Sequence, residues 1–79
     1  MNAVLLTSHV AELLGKLPRP TRLSVRNALD RLERVGLADA RQLHDIQDHR
    51  AYLVPAGPDR DLTVVERDGD FLVLSLLER

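Results

Sequence analysis

The Asp68-Gly69 pair, set between two runs of strand-forming residues, is the feature that most restricts how this chain folds. Residues 62–65 and residues 71–77 are rich in β-branched and large apolar side chains, which pack well in a pleated sheet. Asp-Gly between two such runs is typical of a tight β-hairpin, because both central residues of the turn need a positive φ. The sequence therefore predicts an antiparallel hairpin in which Arg67 and Asp70 face each other.

The second strand of this hairpin is predicted to be apolar on both of its faces. Strict alternation of side chains places Phe71, Val73 and Leu77 on one face and Leu72, Leu74 and Leu76 on the other. A strand of this kind is usually central in its sheet, or one of its faces is covered by another element. The second apolar face also suits a partner-binding surface, and the pattern leaves both interpretations open.

Two further strands are predicted outside the hairpin. Residues 51–55 form a strand candidate that stops at the Pro-Ala-Gly-Pro turn of residues 55–58. Residues 3–6 are a short apolar run, adequate for a strand and too short for a helix. Residues 37–49 are polar and predict a connector. The result is a short N-terminal strand and, after the connector, a three-stranded antiparallel meander.

Two helices are predicted between the N-terminal strand and the connector. The first begins after a Thr7-Ser8 cap, carries one apolar stripe and ends near Leu17. Pro18-Arg19-Pro20 then interrupts the chain, because proline lacks an amide donor and restricts the residue before it. The second helix carries its apolar stripe on residues 25–35 and ends at Gly36, which favours the left-handed conformation.

Length and composition limit the class of protein. With 79 residues, the chain is expected to form one domain, residues 1–79, with a thin core. It has no cysteine, which excludes disulfides, a Cys-based zinc site and thiol catalysis. It has no apolar run of the roughly 20 residues that a membrane helix needs, and its start lacks the pattern of a signal peptide. We therefore expect a cytoplasmic protein.

The formal net charge of −1 is unevenly distributed along the chain. Residues 1–43 carry seven Lys and Arg against four Asp and Glu, a net +3, whereas residues 44–79 carry four Arg against eight Asp and Glu, a net −4. The predicted second helix has four arginines, Arg22, Arg26, Arg31 and Arg34, that could contact phosphates. Asp30 and Glu33 dilute their charge, so a solvated outer face is the simpler interpretation.

No catalytic or cofactor-binding motif occurs at a recognisable spacing, and the sequence predicts neither a cofactor nor a metal. His9, His44 and His49 are the histidines of the chain. His44 and His49 lie five positions apart on the polar connector, and this spacing matches no strong metal-ligand pattern. We therefore interpret them as solvated loop residues.

The order of the predicted elements is similar to that of the RelE/ParE superfamily of toxin–antitoxin toxins. That order is a strand, a helix, a proline-rich break, a longer helix, a connector and a three-stranded meander. The resemblance spans nearly the whole chain and is carried by the segments Val4-Leu5-Leu6-Thr7-Ser8, Leu13-Leu14-Gly15-Lys16-Leu17-Pro18, Val25-Arg26-Asn27-Ala28-Leu29-Asp30-Arg31-Leu32, Gln42-Leu43-His44, Tyr52-Leu53-Val54 and Leu72-Val73-Leu74-Ser75-Leu76-Leu77-Glu78-Arg79. It implies an α+β fold in which the N-terminal strand pairs with the meander.

The resemblance implies a toxin that docks in the ribosomal A site, cleaves mRNA and is held inactive by a cognate antitoxin that wraps it. Such cleavage uses in-line attack by a ribose 2′-hydroxyl, which needs a base, cationic stabilisation of the phosphate and an acid, but no metal. The ParE branch instead poisons DNA gyrase through protein contacts. The implied partners are therefore an antitoxin with the ribosome and mRNA, or an antitoxin with DNA gyrase.

By position, the resemblance also implies catalytic residues. Arg60 falls where the family has an arginine that opens a strand of the meander, and Arg79 falls on the arginine that closes the last strand. Ribosome-dependent members usually carry basic residues on the strand at residues 51–54, and here only His49 and Arg50 lie nearby. The family often supplies a Tyr or His from a following tail, and we expect none after Arg79.

A winged helix-turn-helix DNA-binding regulator is the alternative prediction. Residues 24–37 resemble a recognition helix, residues 9–16 resemble the helix before it, and the Asp68-Gly69 hairpin resembles a wing. The basic first half favours this alternative, whereas the missing N-terminal helix, the over-long turn expected at Pro18-Arg19-Pro20 and the third strand disfavour it. The pairing of residues 3–6 distinguishes the two folds, because a RelE-like scaffold places that strand in the sheet.

Overall fold

The computed structural model describes residues 3–79, which form an α+β fold of two helices and a five-stranded mixed sheet. In chain order the elements are β1 (Val4–Leu6), α1 (Ser8–Lys16), α2 (Arg19–Val35), β2 (Arg41–Gln42), β3 (Arg50–Pro55), β4 (Arg60–Arg67) and β5 (Asp70–Glu78). The strand order is β1-β5-β4-β3-β2, in which β1 is parallel to β5 and the other neighbours are antiparallel. The predicted meander is β3–β4–β5. The observed sheet contains one further strand, β2, that the sequence does not predict.

The β4–β5 hairpin has the predicted turn. Asp68 and Gly69 have φ values of 53° and 85°, so that both central residues lie in the positive-φ region that a two-residue hairpin loop requires. Arg67 pairs with Asp70 across the hairpin, as the sequence predicts. The turn therefore fixes the register of the two longest strands at the centre of the sheet.

The N-terminal strand enters the sheet beside β5. Leu6 pairs with Val73, and the Phe71 N–H donates to the Ala3 carbonyl at 2.9 Å. β5 is consequently central, as the sequence predicts for a strand with two apolar faces. The winged-helix alternative is not favoured, because the hairpin that would be its wing forms the middle of the sheet instead.

A β-bulge interrupts the pairing of β4 with β5. Val64 pairs with Val73, whereas Thr63 pairs with Ser75, so that Leu74 has no partner on β4. An extra residue of this kind shifts the side chains that follow it to the opposite face of the sheet. Alternation along β5 is therefore broken at one point.

The bulge corrects the predicted faces of β5. Leu76 packs against the core, and Leu77 is 47% exposed, the reverse of what strict alternation predicts. Phe71 and Val73 precede the bulge and are buried in the core as predicted. A hydrophobic pattern alone does not show where a strand of continuous apolar residues gains a bulge, because both faces read as apolar.

Both helices pack on one face of the sheet. Thr7 caps α1 by accepting the Val10 N–H on its hydroxyl at 3.3 Å, and Gly36 ends α2 with a φ of 71°. The ψ of Gly36, −141°, lies outside the left-handed helical region that the sequence predicts, although the positive φ agrees with it. No helix within residues 3–79 is long and apolar enough to cross a membrane.

The core lies between the helices and the sheet. Its buried side chains come from α1, α2, β3–β5 and the turn after β3, and they are Val10, Val25, Ala28, Leu32, Val54, Ala56, Leu62, Val64, Phe71 and Val73. Pro18 and Pro20 do not lengthen the turn between the helices, because Pro18 is the N-cap of α2 and Pro20 lies in its first turn. The proline-rich break is thus a short corner between the two helices.

The connector contains structure that the sequence does not predict. Gln47 and Asp48 form a tight turn with φ values of 50° and 67°, and Ile46 and His49 exchange two backbone hydrogen bonds of 2.9 Å. This turn folds β2 back onto β3. Gln-Asp is not a common hairpin pair, and β2 is only two residues long, so neither has a strong local signal.

Alanine substitutions at Leu76 and Leu77 test the bulge. We expect Leu76→Ala to lower the free energy of unfolding by about 1–2 kcal/mol, because it removes core contacts. Leu77→Ala removes an exposed side chain and should change it by less than about 0.5 kcal/mol. Urea denaturation of both variants measures the difference, and a larger loss for Leu77→Ala would contradict the bulged register.

Candidate functional site

The face of the sheet that points away from both helices is the open face. Cross-strand pairing places the following residues on it: Leu5, Arg41, Ala51, Leu53, Asp61, Thr63, Val65, Leu72 and Ser75. Beside β1 this face is apolar, since Leu5 pairs with Leu72 and Leu72 pairs with Val65. Beside β2 this face is charged, because Arg41 lies there opposite Leu53 of β3. The open face therefore has an apolar end and a charged end.

The charged end forms a pocket of about 210 Å³, here called the corner pocket. It is lined by Asp39, Arg41, Leu53, Pro55, Asp61 and Arg79. One of the four predicted catalytic residues, Arg79, thus lies on the open face beside a second arginine, Arg41, that the sequence analysis did not select.

Arg79 is fixed in the corner pocket by three contacts. Its Nε lies 3.2 Å from the Asp61 carboxylate, and its Nη2 donates at 2.9 Å to each of the Gly57 and Arg60 carbonyls. The Asp61 side chain is 14% exposed and the Arg79 side chain 48% exposed. A guanidinium has five N–H donors, so two remain available on a side chain whose position is already set.

Arg60 lies on the opposite, helix-facing side of the sheet. It pairs with Glu78 across β4 and β5, and its Nη2 lies 3.2 Å from the Glu78 carboxylate. Its side chain is only 17% exposed, and its Nε is buried without a hydrogen-bond partner among the described residues. Arg60 and Arg79 are neighbours at one end of the sheet, but their side chains leave it on different faces.

His49 and Arg50 lie at the other end of the sheet. Arg50 pairs with Glu66, which is six residues along β4 from Arg60. At a strand rise of about 3.3 Å per residue, the two ends are roughly 20 Å apart. The structure therefore brings Arg60 and Arg79 together and keeps His49 and Arg50 away from them.

Each of the four arginines in the acidic half of the chain, residues 44–79, faces an acidic residue. Arg50 is opposite Glu66 and Arg67 is opposite Asp70, while Arg60 and Arg79 form the ion pairs described above. Opposite charges across a strand pair stabilise the sheet by a few tenths of a kcal/mol each. Much of the positive charge on the sheet is therefore balanced locally.

Arg41 differs from these four arginines. Like Arg50 and Arg67, it is exposed and makes no ion pair within residues 3–79, but unlike them it has no acidic residue opposite it on the neighbouring strand. Its cross-strand partner is Leu53 on β3, where the resemblance implies a basic strand. Sequence reasoning missed Arg41 because it lies on the two-residue β2, inside the segment predicted to be a connector.

A second groove lies between α2 and the end of β3. It has a volume of about 390 Å³ and is lined mostly by apolar residues, including Ala28, Leu32 and Val35. Arg31 and Asp39 form an ion pair at its rim. Within residues 3–79, no three His, Asp or Glu side chains are grouped as metal ligands would be.

The topology of the sheet, with two helices on one face and a parallel N-terminal strand beside a central hairpin, defines a RelE-like toxin fold. The crystal structure of the archaeal RelE–RelB complex from Pyrococcus horikoshii OT3 matches this chain with a TM-score of 0.83. The two sequences are 21% identical, and the match covers 99% of this chain and 94% of that chain. No protein-family model and no curated protein matches the sequence. The predicted RelE-like fold is confirmed.

Replacing Arg79 tests how much the sheet end depends on it. We expect Arg79→Gln to lower the free energy of unfolding by about 1–2 kcal/mol, because it removes two hydrogen bonds and leaves the largely buried Asp61 carboxylate without its partner. Arg67→Gln at the exposed hairpin tip is the matched control and should cost less than about 0.5 kcal/mol.

The double variant Asp61→Asn/Arg79→Gln completes a cycle measured by urea denaturation. Residues in direct contact are expected to couple, so the double variant should be more stable than the sum of the two single losses predicts. Strict additivity would contradict the ion pair.

Proposed function

We propose that this chain is the toxin of a toxin–antitoxin pair, that it inhibits translation by cleaving mRNA on the ribosome, and that a cognate antitoxin holds it inactive. The observation that carries the proposal is the RelE-like fold, which extends over 99% of the chain. Fold alone does not determine function, so the residues of the open face and the behaviour of the chain in cells must supply the rest.

The proposed antitoxin is a separate polypeptide that covers part of this chain. The matched archaeal structure is a complex of RelE with RelB, and this supports a partner of the same kind here. Several large apolar side chains are exposed: Leu5, Leu6, Leu23, Val35 and Leu77. Exposed apolar side chains are normal when isolated, and they favour a partner where they border a groove, as Val35 does.

The proposed chemistry takes place at the corner pocket. Attack by a ribose 2′-hydroxyl leaves additional negative charge on the phosphate, and the two remaining donors of Arg79 can stabilise it. Asp39 and Asp61 are the carboxylates in the pocket and are the nearest candidates for proton transfer. Arg60 acts through the sheet as a positioning residue, because its side chain points to the helix side and its carbonyl holds Arg79.

His49 and Arg50 have a different place in this proposal. Because they are roughly 20 Å from Arg79, they cannot contact the same phosphate. A single RNA strand laid across the open face would reach His49 several nucleotides away from the cleaved bond, whereas Arg50 shares the helix-facing side of the sheet with its partner Glu66 and would not contact the RNA. We therefore assign His49 to RNA binding and neither residue to the chemical step.

Poisoning of DNA gyrase is the second candidate activity. The observation that favours it is the local balance of charge, since each arginine of the sheet half faces an acidic residue. A protein-binding toxin does not need unpaired cations at a catalytic centre. Both candidates share the antitoxin and differ in the cellular process that fails first.

Induced expression of the chain in a bacterial host tests the toxin proposal. We expect growth to stop and then to resume when the gene adjoining this one is co-expressed as the antitoxin. Pulse labelling separates the two activities, because mRNA cleavage stops methionine incorporation first, whereas gyrase poisoning stops thymidine incorporation first. Harmless expression at a level confirmed by immunoblot would refute the toxin proposal.

Arg79→Lys tests the catalytic assignment. It keeps the charge but loses the planar fork of donors, so the rate of mRNA cleavage is expected to fall by about 10²-fold. Arg67→Lys is the matched control, with no expected change. Primer extension on mRNA from arrested cells measures cleavage, and urea denaturation shows whether each variant is folded. Unchanged cleavage in a folded Arg79→Lys variant would remove Arg79 from the site.

A further inference from the structure

We infer that Arg41 and Arg79 together form a binding site for an RNA phosphate in the corner pocket, and that Arg41 supplies the free positive charge of this site. The inference rests on the proposed function, because it names residues that hold the RNA substrate of that function. Arg41 is a binding residue that neither the sequence pattern nor the resemblance selects.

Register places Arg41 on the open face next to a position that lacks charge. Arg41 pairs directly with Leu53, and Leu53 pairs with Thr63 in the centre of the sheet. Cβ atoms of directly opposed residues are about 5 Å apart, so a long side chain on β2 can extend over Leu53. Arg41 therefore brings a guanidinium to a place where β3 itself presents only an apolar side chain.

The charges around the corner pocket leave Arg41 uncompensated. Asp39 is paired with Arg31, and Asp61 is paired with Arg79. The side chains that line the pocket and the Arg31 side chain together carry three positive and two negative charges, a net +1 among these side chains. That charge belongs to Arg41, which has no acidic partner within residues 3–79.

The two arginines have complementary properties for holding a phosphate. Arg79 is fixed by Asp61 and two carbonyls and offers two donors in a set direction. Arg41 is exposed and free to adjust its side chain to the ligand. Arginine forks match the spacing of phosphate oxygens, and such charge-assisted hydrogen bonds are stronger than neutral ones.

The pocket suits a phosphate within an RNA strand better than a free phosphate ion. It opens onto the sheet face, where the partly exposed Ser75 lies in the same cross-strand row as Leu53, with the buried Thr63 between them. A strand bound at the pocket could run along this row, whereas a free phosphate would contact only the two arginines. We therefore commit to single-stranded RNA as the ligand, with inorganic phosphate as a competing outcome of the test.

Fluorescence anisotropy with a labelled single-stranded RNA of about ten nucleotides tests the inference on the full chain. We expect Arg41→Gln to weaken binding by roughly three- to tenfold and to reduce the slope of log K against log salt by about 0.7, the share of one phosphate contact on a single strand. Arg41→Lys keeps the charge and should retain most of the affinity.

Arg26→Gln is the matched control, because it removes the same charge from an exposed position on α2, on the other side of the sheet. Equal losses for Arg41→Gln and Arg26→Gln would show a general charge effect and would overturn the site. The site would also be overturned if Arg41→Gln bound RNA as tightly as the wild-type chain does, including the case in which that variant loses binding of inorganic phosphate alone.

The binding assay and the growth assay test the phosphate site and the toxin proposal independently. If the wild-type chain arrests growth and Arg41→Gln binds RNA as tightly as the wild type, the site is wrong and the toxin proposal stands. If the wild-type chain does not arrest growth but Arg41→Gln selectively loses RNA binding, the toxin proposal is wrong and the phosphate site stands.

Discussion

The parallel pairing of β1 with β5 is the constraint on which the rest of the structure depends. β5 is apolar on both faces, and as an edge strand it would expose a long row of unpaired backbone groups. β1 covers the first part of that edge with three residues, which pair with residues 71–73, and Thr7 then joins the sheet to the helices. The Thr7 N–H donates to the Val73 carbonyl, and its hydroxyl accepts the Val10 N–H that begins α1. One residue thus fixes where the helical layer starts relative to the sheet.

Local signals in the sequence were sufficient for the frame of the fold. The Asp68-Gly69 turn, the Thr7 cap and the end of α2 at Gly36 each depend on the conformational preference of one or two residues, and all three are observed. The β-bulge at Leu74 and the short β2 depend on long-range pairing instead. Such pairing leaves little trace in a hydrophobic pattern, because it is decided by partners distant in the chain.

The candidate site was less predictable than the fold for the same reason. The resemblance selected arginines that lie together at one end of β4 and β5, but which face each side chain occupies is a property of the register. The sequence gives no sign that Arg60 points toward the helices and Arg79 away from them. It also hides Arg41, whose relevance appears only when β2 is seen beside Leu53. The faces that these arginines occupy therefore depend on two-dimensional order in the sheet.

The bulge at Leu74 has a consequence for the spacing of the chain. If β5 alternated strictly through Leu74 instead of bulging there, Arg79 would share a face with Phe71 and Val73 and would point toward the helices, and Glu78 would occupy the open face. The sign of the charge at the corner of the sheet is thus set by the bulge and not by the residue types of β5 alone. Deletion of Leu74 would remove the bulge and still leave Arg79 on the open face, because the pairs from Thr63–Ser75 onward keep their register. The backbone geometry of β5, and not only its composition, therefore decides which charge the open face carries at this corner.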